Sequence, residues 1–179
     1  VDELLGTSED MEYVMEKYID MPSWAAQWLV FELSGTPEPN GPNSWYTYKE
    51  KSDDKWYCGP PWDFDYQSFV PSTAKQFRNK SYVYQPQMRK YEPYREELIR
   101  QWEAVQPLLP DLINYINEQR EYMRYSAEAN WYIHEQNLKD DQSNQNGDEY
   151  IPSDSAIDRM IEYLYIKWDY IENNIRNLK

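Results

Sequence analysis

Toward the C-terminus the apolar residues recur in steps of 4, 3, 4, 3, 4 and 3: Ile157, Ile161, Leu164, Trp168, Ile171, Ile175 and Leu178. Such an unbroken heptad seam predicts a helix beginning near Ser153 or Asp154. Leu109, Ile113, Ile116, Met123 and Ala127 form a comparable stripe, which predicts a helix from about Leu109 to Leu138. The two stripes fit an antiparallel helical hairpin with arms of about 25–30 residues, or roughly 40 Å. Upstream, a helix from about Gln87 to Val105 is expected to break at Pro107 and Pro110. Residues 9–34 also read as helical. Asp20-Met21-Pro22-Ser23 is a start signal within them, Trp24, Trp28, Leu29 and Phe31 follow at helical spacing, and Gly35 is a stop.

Between these helices the period changes. Residues 36–43 hold three prolines and a glycine, which predict a loop without regular structure. Trp45-Tyr46-Thr47-Tyr48 and Lys55-Trp56-Tyr57-Cys58 are rich in strand formers and flank the turn-forming Glu50-Lys51-Ser52-Asp53-Asp54, which reads as a β-hairpin. Gly59-Pro60-Pro61 ends it, and Trp62-Asp63-Phe64-Asp65 follows. Residues 71–85 read as irregular, and the polar stretch 139–152 as a mobile loop. The expected fold is a single domain over 1–179, mainly α with a small antiparallel β-hairpin. Residues 18–70 carry the helix, loop, hairpin and aspartate motif, and 71–179 the helical part.

Composition narrows the possible chemistry. The 179 residues hold one cysteine, Cys58, and one histidine, His134. No intramolecular disulfide and no Cys/His zinc site can be built from them. His134 sits in a helical stretch and Cys58 at a strand end, so both read as packing or surface residues rather than catalytic ones. Acids outnumber bases by 32 to 18, which disfavours broad electrostatic binding of nucleic acid. Thirty aromatics (18 Tyr, 8 Trp, 4 Phe) supply enough apolar surface to argue against disorder despite that charge. No apolar run reaches the roughly 18 residues of a membrane span.

The stretch from Gly35 to Phe69 concentrates the candidate chemistry. In an extended backbone, residues two apart share a face, so Asp63 and Asp65 would point out together while Phe64 turns inward. Two carboxylates held side by side repel unless a cation or a base intervenes, and Mg2+ is a natural partner. The plain alternative is a pair of solvated turn acids after a double proline. Glu38 is the only acid between Glu32 and Glu50, and it shares its loop with Asn40 and Asn43. The order of loop with a carboxylate and an amide, hairpin, then aspartate beside phenylalanine parallels that of a protein kinase.

The runs Tyr18-Ile19-Asp20-Met21, Glu32-Leu33-Ser34-Gly35, Pro42-Asn43-Ser44-Trp45-Tyr46-Thr47-Tyr48-Lys49 and Gly59-Pro60-Pro61-Trp62-Asp63-Phe64-Asp65 resemble the CotH (spore-coat protein H) family of atypical, kinase-like proteins. Arg100-Gln101-Trp102 and the helices after it are similar to that family's helical C-terminal part. The resemblance implies a kinase C-lobe-like end packed on the helical hairpin, and ATP-dependent phosphorylation of protein Ser or Thr by the full-length protein. It implies Asp63 and Asp65 as metal ligands beside the nucleotide phosphates, Asn43 as a further metal-side ligand and Glu38 as the catalytic base. Mg2+ and ATP are the implied cofactors. A protein substrate and an N-terminal lobe of the same protein are the implied partners, and a secreted or cell-surface location is implied as well. A phosphate-covering glycine-rich loop is not among the five glycines, so the chain is expected to be inactive in isolation and to bind ATP weakly at most. The alternative is a non-catalytic extracellular module that binds glycan or protein through aromatic surfaces. Tyr82, Tyr84, Tyr91 and Tyr94 are the tyrosines considered for sugar stacking, with half-buried structural roles as the competing reading.

Charge is unevenly spread. Residues 71–91 carry Lys75, Arg78, Lys80, Arg89 and Lys90 and no acid. The stretch suits an acidic substrate or phosphate, or simple balance against the acidic first third.

Overall fold

The computed structural model describes residues 11–41, 43–81, 84–140 and 152–178, with 135–140 in backbone only. The fold is mainly helical, with one two-stranded antiparallel sheet and a long helical hairpin. The helices are α1 (Met11–Tyr18), α2 (Met21–Ser34), the single turn α3 (Gln85–Met88), α4 (Glu92–Val105), α5 (Leu109–Asp140) and α6 (Ser153–Asn174). The strands are β1 (Thr47–Lys49) and β2 (Trp56–Cys58), paired Thr47 to Cys58, Tyr48 to Tyr57 and Lys49 to Trp56.

The helix expected over 9–34 is two helices. Ile19 leaves the helical path to bridge Trp56, and the Asp20 N–H donates to the Trp56 carbonyl at 3.0 Å. Asp20 then caps α2, its carboxylate accepting from the Ser23 N–H at 3.0 Å, with Pro22 in the first turn. α2 is the central element. Trp24, Ala25, Trp28, Leu29 and Phe31 are all buried, and so are the polar Gln27, Glu32 and Ser34. A helix buried on most of its circumference shows little amphipathic patterning.

α2 packs against α4, β2 and the C-terminal half of α6. Tyr94, Leu98 and Trp102 of α4 meet Trp168, Ile171 and Ile175 in this core. A second cluster joins Ile113 of α5 to Tyr163 and Leu164 of α6. The heptad seam of α6 is therefore shared between two partners, α5 toward its start and α2 with α4 toward its end. The α5 stripe does not stay covered: Ile113 is buried, but Met123 is 45% exposed.

Pro107 lies in a 3-10 turn, Gln106–Leu108, and Pro110 in the first turn of α5, where its missing N–H costs nothing. The expected helix from Gln87 is also divided, into α3 and α4, separated by Arg89, Lys90 and Tyr91. The loop over 36–43 contains one 3-10 turn, Glu38–Asn40. Of the expected mobile loop, 141–151 lie outside the described residues, whereas Lys139 and Asp140 belong to α5. Among the described residues, no helix is long and apolar enough to cross a membrane.

Candidate functional site

The site lies where α2 ends. Gly35 adopts φ +72 and closes the helix, its N–H donating to the Phe31 carbonyl at 2.9 Å. Two loops then run beside each other, 36–46 and 59–70. They are tied by Thr36, whose hydroxyl donates to the Tyr66 carbonyl at 2.9 Å, and by the Phe69 N–H, which donates to the Ser34 carbonyl at 2.7 Å. Phe64 turns inward as expected, with its ring centroid 5.1 Å from that of Phe31.

Among the described residues of these loops, four non-glycine residues have positive φ: Ser44 (54), Asp63 (65), Gln67 (52) and Phe69 (56). Left-handed backbone at a non-glycine residue costs of order 1–3 kcal/mol and persists only where surrounding contacts enforce it. At Asp63 it also overturns a geometric expectation. The backbone there is left-handed rather than extended, so the two-residue repeat of a strand does not govern where Asp63 and Asp65 point.

The carboxylate that meets Asp63 is instead Glu38. The Ser44 Oγ lies 2.9 Å from Glu38 Oε2 and 3.2 Å from Asp63 Oδ2. A hydroxyl has one proton to donate. Two carboxyl groups therefore compete for the one hydroxyl hydrogen, and no cationic side chain is bonded to the trio among the described residues. Glu38 is half-buried and Asp63 exposed, so a solvent-borne cation can reach both. Asn43 is exposed; its N–H donates to the Glu38 carbonyl at 3.1 Å, placing it on the rim of the same loop. Asp65 is exposed as well.

Among the described residues, no group of three or more His, Cys, Asp or Glu side chains is arranged to hold a metal ion. The donor set fits a loosely held Mg2+ better than an all-protein cage. Mg2+ is commonly bound by one or two carboxylates and completes its octahedron with water and phosphate oxygen. Glu38 and Asp63 would supply two such oxygens.

Beneath the loops lies a buried ionic frame that sequence patterns did not single out. Glu32 and Lys167 are both fully buried and pair at 3.0 Å. Glu32 also accepts from the backbone N–H groups of Arg78 and Asn79, and Lys167 donates to the Gln76 carbonyl at 2.6 Å. Burial pulls the Lys167 ammonium below its ordinary pKa, and the Glu32 charge opposes that shift. Arg78 donates to the Gly35 carbonyl at 2.6 Å and to the Gln67 carbonyl at 2.9 Å, joining both loops. Its own carbonyl accepts from Asn40 Nδ2 at 2.9 Å. Asn79 donates to the Thr36 carbonyl at 3.0 Å. Sequence signals for this frame were slight: Arg78 in the basic stretch 71–91, and Lys167 beside the seam residue Trp168.

The remaining candidates have structural settings. Cys58 is buried, and burial pushes its thiol pKa well up, against a nucleophilic role. His134 is exposed on α5. Tyr94 is buried and bonded to Gln85, Tyr84 and Tyr91 are half-buried, and Tyr82 lies outside the described residues. Exposed aromatics occur elsewhere, at Tyr46, Tyr48 and Trp62 near the site and at Tyr115, Tyr122, Tyr125 and Tyr132 along α5.

No family model matches this chain, and no curated protein or solved structure matches it significantly.

Proposed function

We propose that this chain is the metal-binding C-terminal part of an atypical, CotH-like protein kinase, which in the full-length protein transfers phosphate from ATP to protein Ser or Thr. The observation that carries the reading is the shared Ser44 hydroxyl, which draws Glu38 and Asp63 from two different loops into one electron-rich site. The sequence motif around Asp63 agrees with it. Bound Mg2+ supplies charge neutralisation for the nucleotide phosphates. Glu38 and Asp63 would hold it, with Asn43 and Asp65 on the exposed rim. In this reading Ser44 orients the carboxylates, and Arg78 holds the loops in register. A partner lobe of the same protein covers the nucleotide, and the substrate protein docks over the exposed Trp62 side.

The test is phosphate incorporation from labelled ATP by the full-length protein. Asp63→Asn is expected to lower transfer by about 100-fold or more, the scale of losing a preorganised electrostatic group. Unchanged transfer in that variant contradicts the reading. The isolated chain is expected to show no micromolar affinity for Mg-ATP by calorimetry.

A second reading is a non-catalytic binding module. It is favoured by the row of tyrosines on α5, which are 58–87% exposed at Tyr115, Tyr122, Tyr125 and Tyr132. Glycan-array binding that disappears when those residues are replaced by Ala selects it.

A further inference from the structure

Arg89 is 4% exposed, and among the described residues its guanidinium makes no ion pair, the Glu32 carboxylate acting on it only from beyond ion-pair distance. One of its nitrogens, Nη2, donates to the Lys80 carbonyl, while Nε and Nη1 are buried without a hydrogen-bond partner. A buried charged donor left unpaired is costly, and native proteins rarely tolerate one unless something outside the chain completes it. Three further cations adjoin it through the backbone or in sequence. Arg95 donates to the Arg89 carbonyl, and the ammonium of Lys90, next in sequence, donates to Gln87 Oε1 at 2.7 Å. Lys80 and Lys90 are exposed, and Arg95 is half-buried. Among the described residues none of these four cations makes an ion pair, in a chain where acids outnumber bases by 32 to 18. Four cations without an ion pair among the described residues, amid that excess of carboxylates, call for an explanation other than balance.

We propose that Arg89, with Arg95, Lys80 and Lys90 around it, forms a binding site for a phosphate-type oxyanion, distinct from the Glu38 and Asp63 site and independent of the kinase reading. A tetrahedral oxyanion offers several acceptor oxygens around one small centre, the chemistry that guanidinium donors recognise best. Exposed Lys80 and Lys90 draw the anion in, and the buried guanidinium anchors it where water competes least.

The experiment is thermal denaturation of this chain in inorganic phosphate, against potassium chloride at matched ionic strength. A saturable rise in Tm with phosphate alone is expected. Lys80→Ala/Lys90→Ala, two surface changes, should leave the Tm without phosphate unchanged and at least halve the phosphate shift. Arg89→Met should abolish the shift, and without phosphate should be at least as stable as the parent, since it removes an unpaired buried charge. A phosphoserine peptide in parallel distinguishes the sources: about tenfold tighter binding than phosphate assigns the site to a phosphorylated protein segment, and equal binding to free phosphate. No phosphate shift, an equal shift in chloride, or a full shift in the lysine double variant overturns the proposal.

Discussion

Gly35 shows how one residue can be fixed by two independent requirements. Its φ of +72 disfavours any side chain, and a Cβ there would lie 2.1 Å from the Tyr163 hydroxyl oxygen. Gly35→Ala is therefore expected to cost at least about 1–2 kcal/mol from backbone strain alone, with the clash added. Tyr163→Phe in the same chain should recover part of the loss, as read by urea denaturation. The buried pair of Glu32 and Lys167 obeys a different logic. Lys167→Met strands a buried carboxylate and is expected to cost roughly 3–5 kcal/mol, and the double change Glu32→Gln/Lys167→Met should cost less than the sum of its parts. At the hairpin, the Tyr57 hydroxyl donates to the Asp53 carboxylate. That bond, helped by the Lys55 N–H, holds the Asp53 carboxyl below its ordinary pKa. The same bond pushes the Tyr57 phenol up to about 12. The signs set the window. Asp53 stabilises the hairpin above about pH 4 and loses that contribution as the pH falls through its lowered value. Tyr57 contributes below about pH 10 and loses it as the pH rises toward 12. In an NMR titration, Tyr57→Phe should return Asp53 toward about 4, and Asp53→Asn should return Tyr57 toward about 10.

At the scale of elements, the same heptad pattern has unequal consequences along its length. Ile113 is 8% exposed where α5 meets α6, whereas Met123, two further turns and more along the same stripe, is 45% exposed. Ile113→Ala is accordingly expected to cost about 2–5 kcal/mol, and Met123→Ala no more than about 0.5 kcal/mol, by chemical denaturation. Periodicity made α5 and α6 legible, because an apolar stripe states which face is buried. It did not state that Trp168 and Ile171 join the core of α2 and α4, since a stripe does not name its partner. The break at Ile19 was hidden for a related reason: its cause is the Trp56 backbone, 37 residues away in sequence. Asp20, Pro22 and Gly35 marked the ends of α2 correctly because caps are local chemistry.

For the whole molecule, the candidate site depends on contacts that no local pattern encodes. The motif drew attention to Asp63 and Asp65 together. The fold instead brings Asp63 to Glu38 through Ser44, because Asp63 adopts left-handed backbone and the two loops are tied by Thr36, Phe69 and Arg78. Ser44 did not stand out as a functional candidate, and Arg78 stood out only as one cation of the basic stretch 71–91, since their roles arise from long-range geometry. The frame of Glu32, Lys167, Arg78 and Asn79 links α2, α6 and both loops, so the site inherits the rigidity of the core. The most direct test of the account is Mn2+ titration followed by electron paramagnetic resonance, on this chain and on Glu38→Gln and Asp63→Asn. Saturable binding by the parent, weakened about tenfold or more in each variant at unchanged Tm, is the predicted result. A parent that binds no Mn2+, or variants that bind it as the parent does, would contradict the two-carboxylate site.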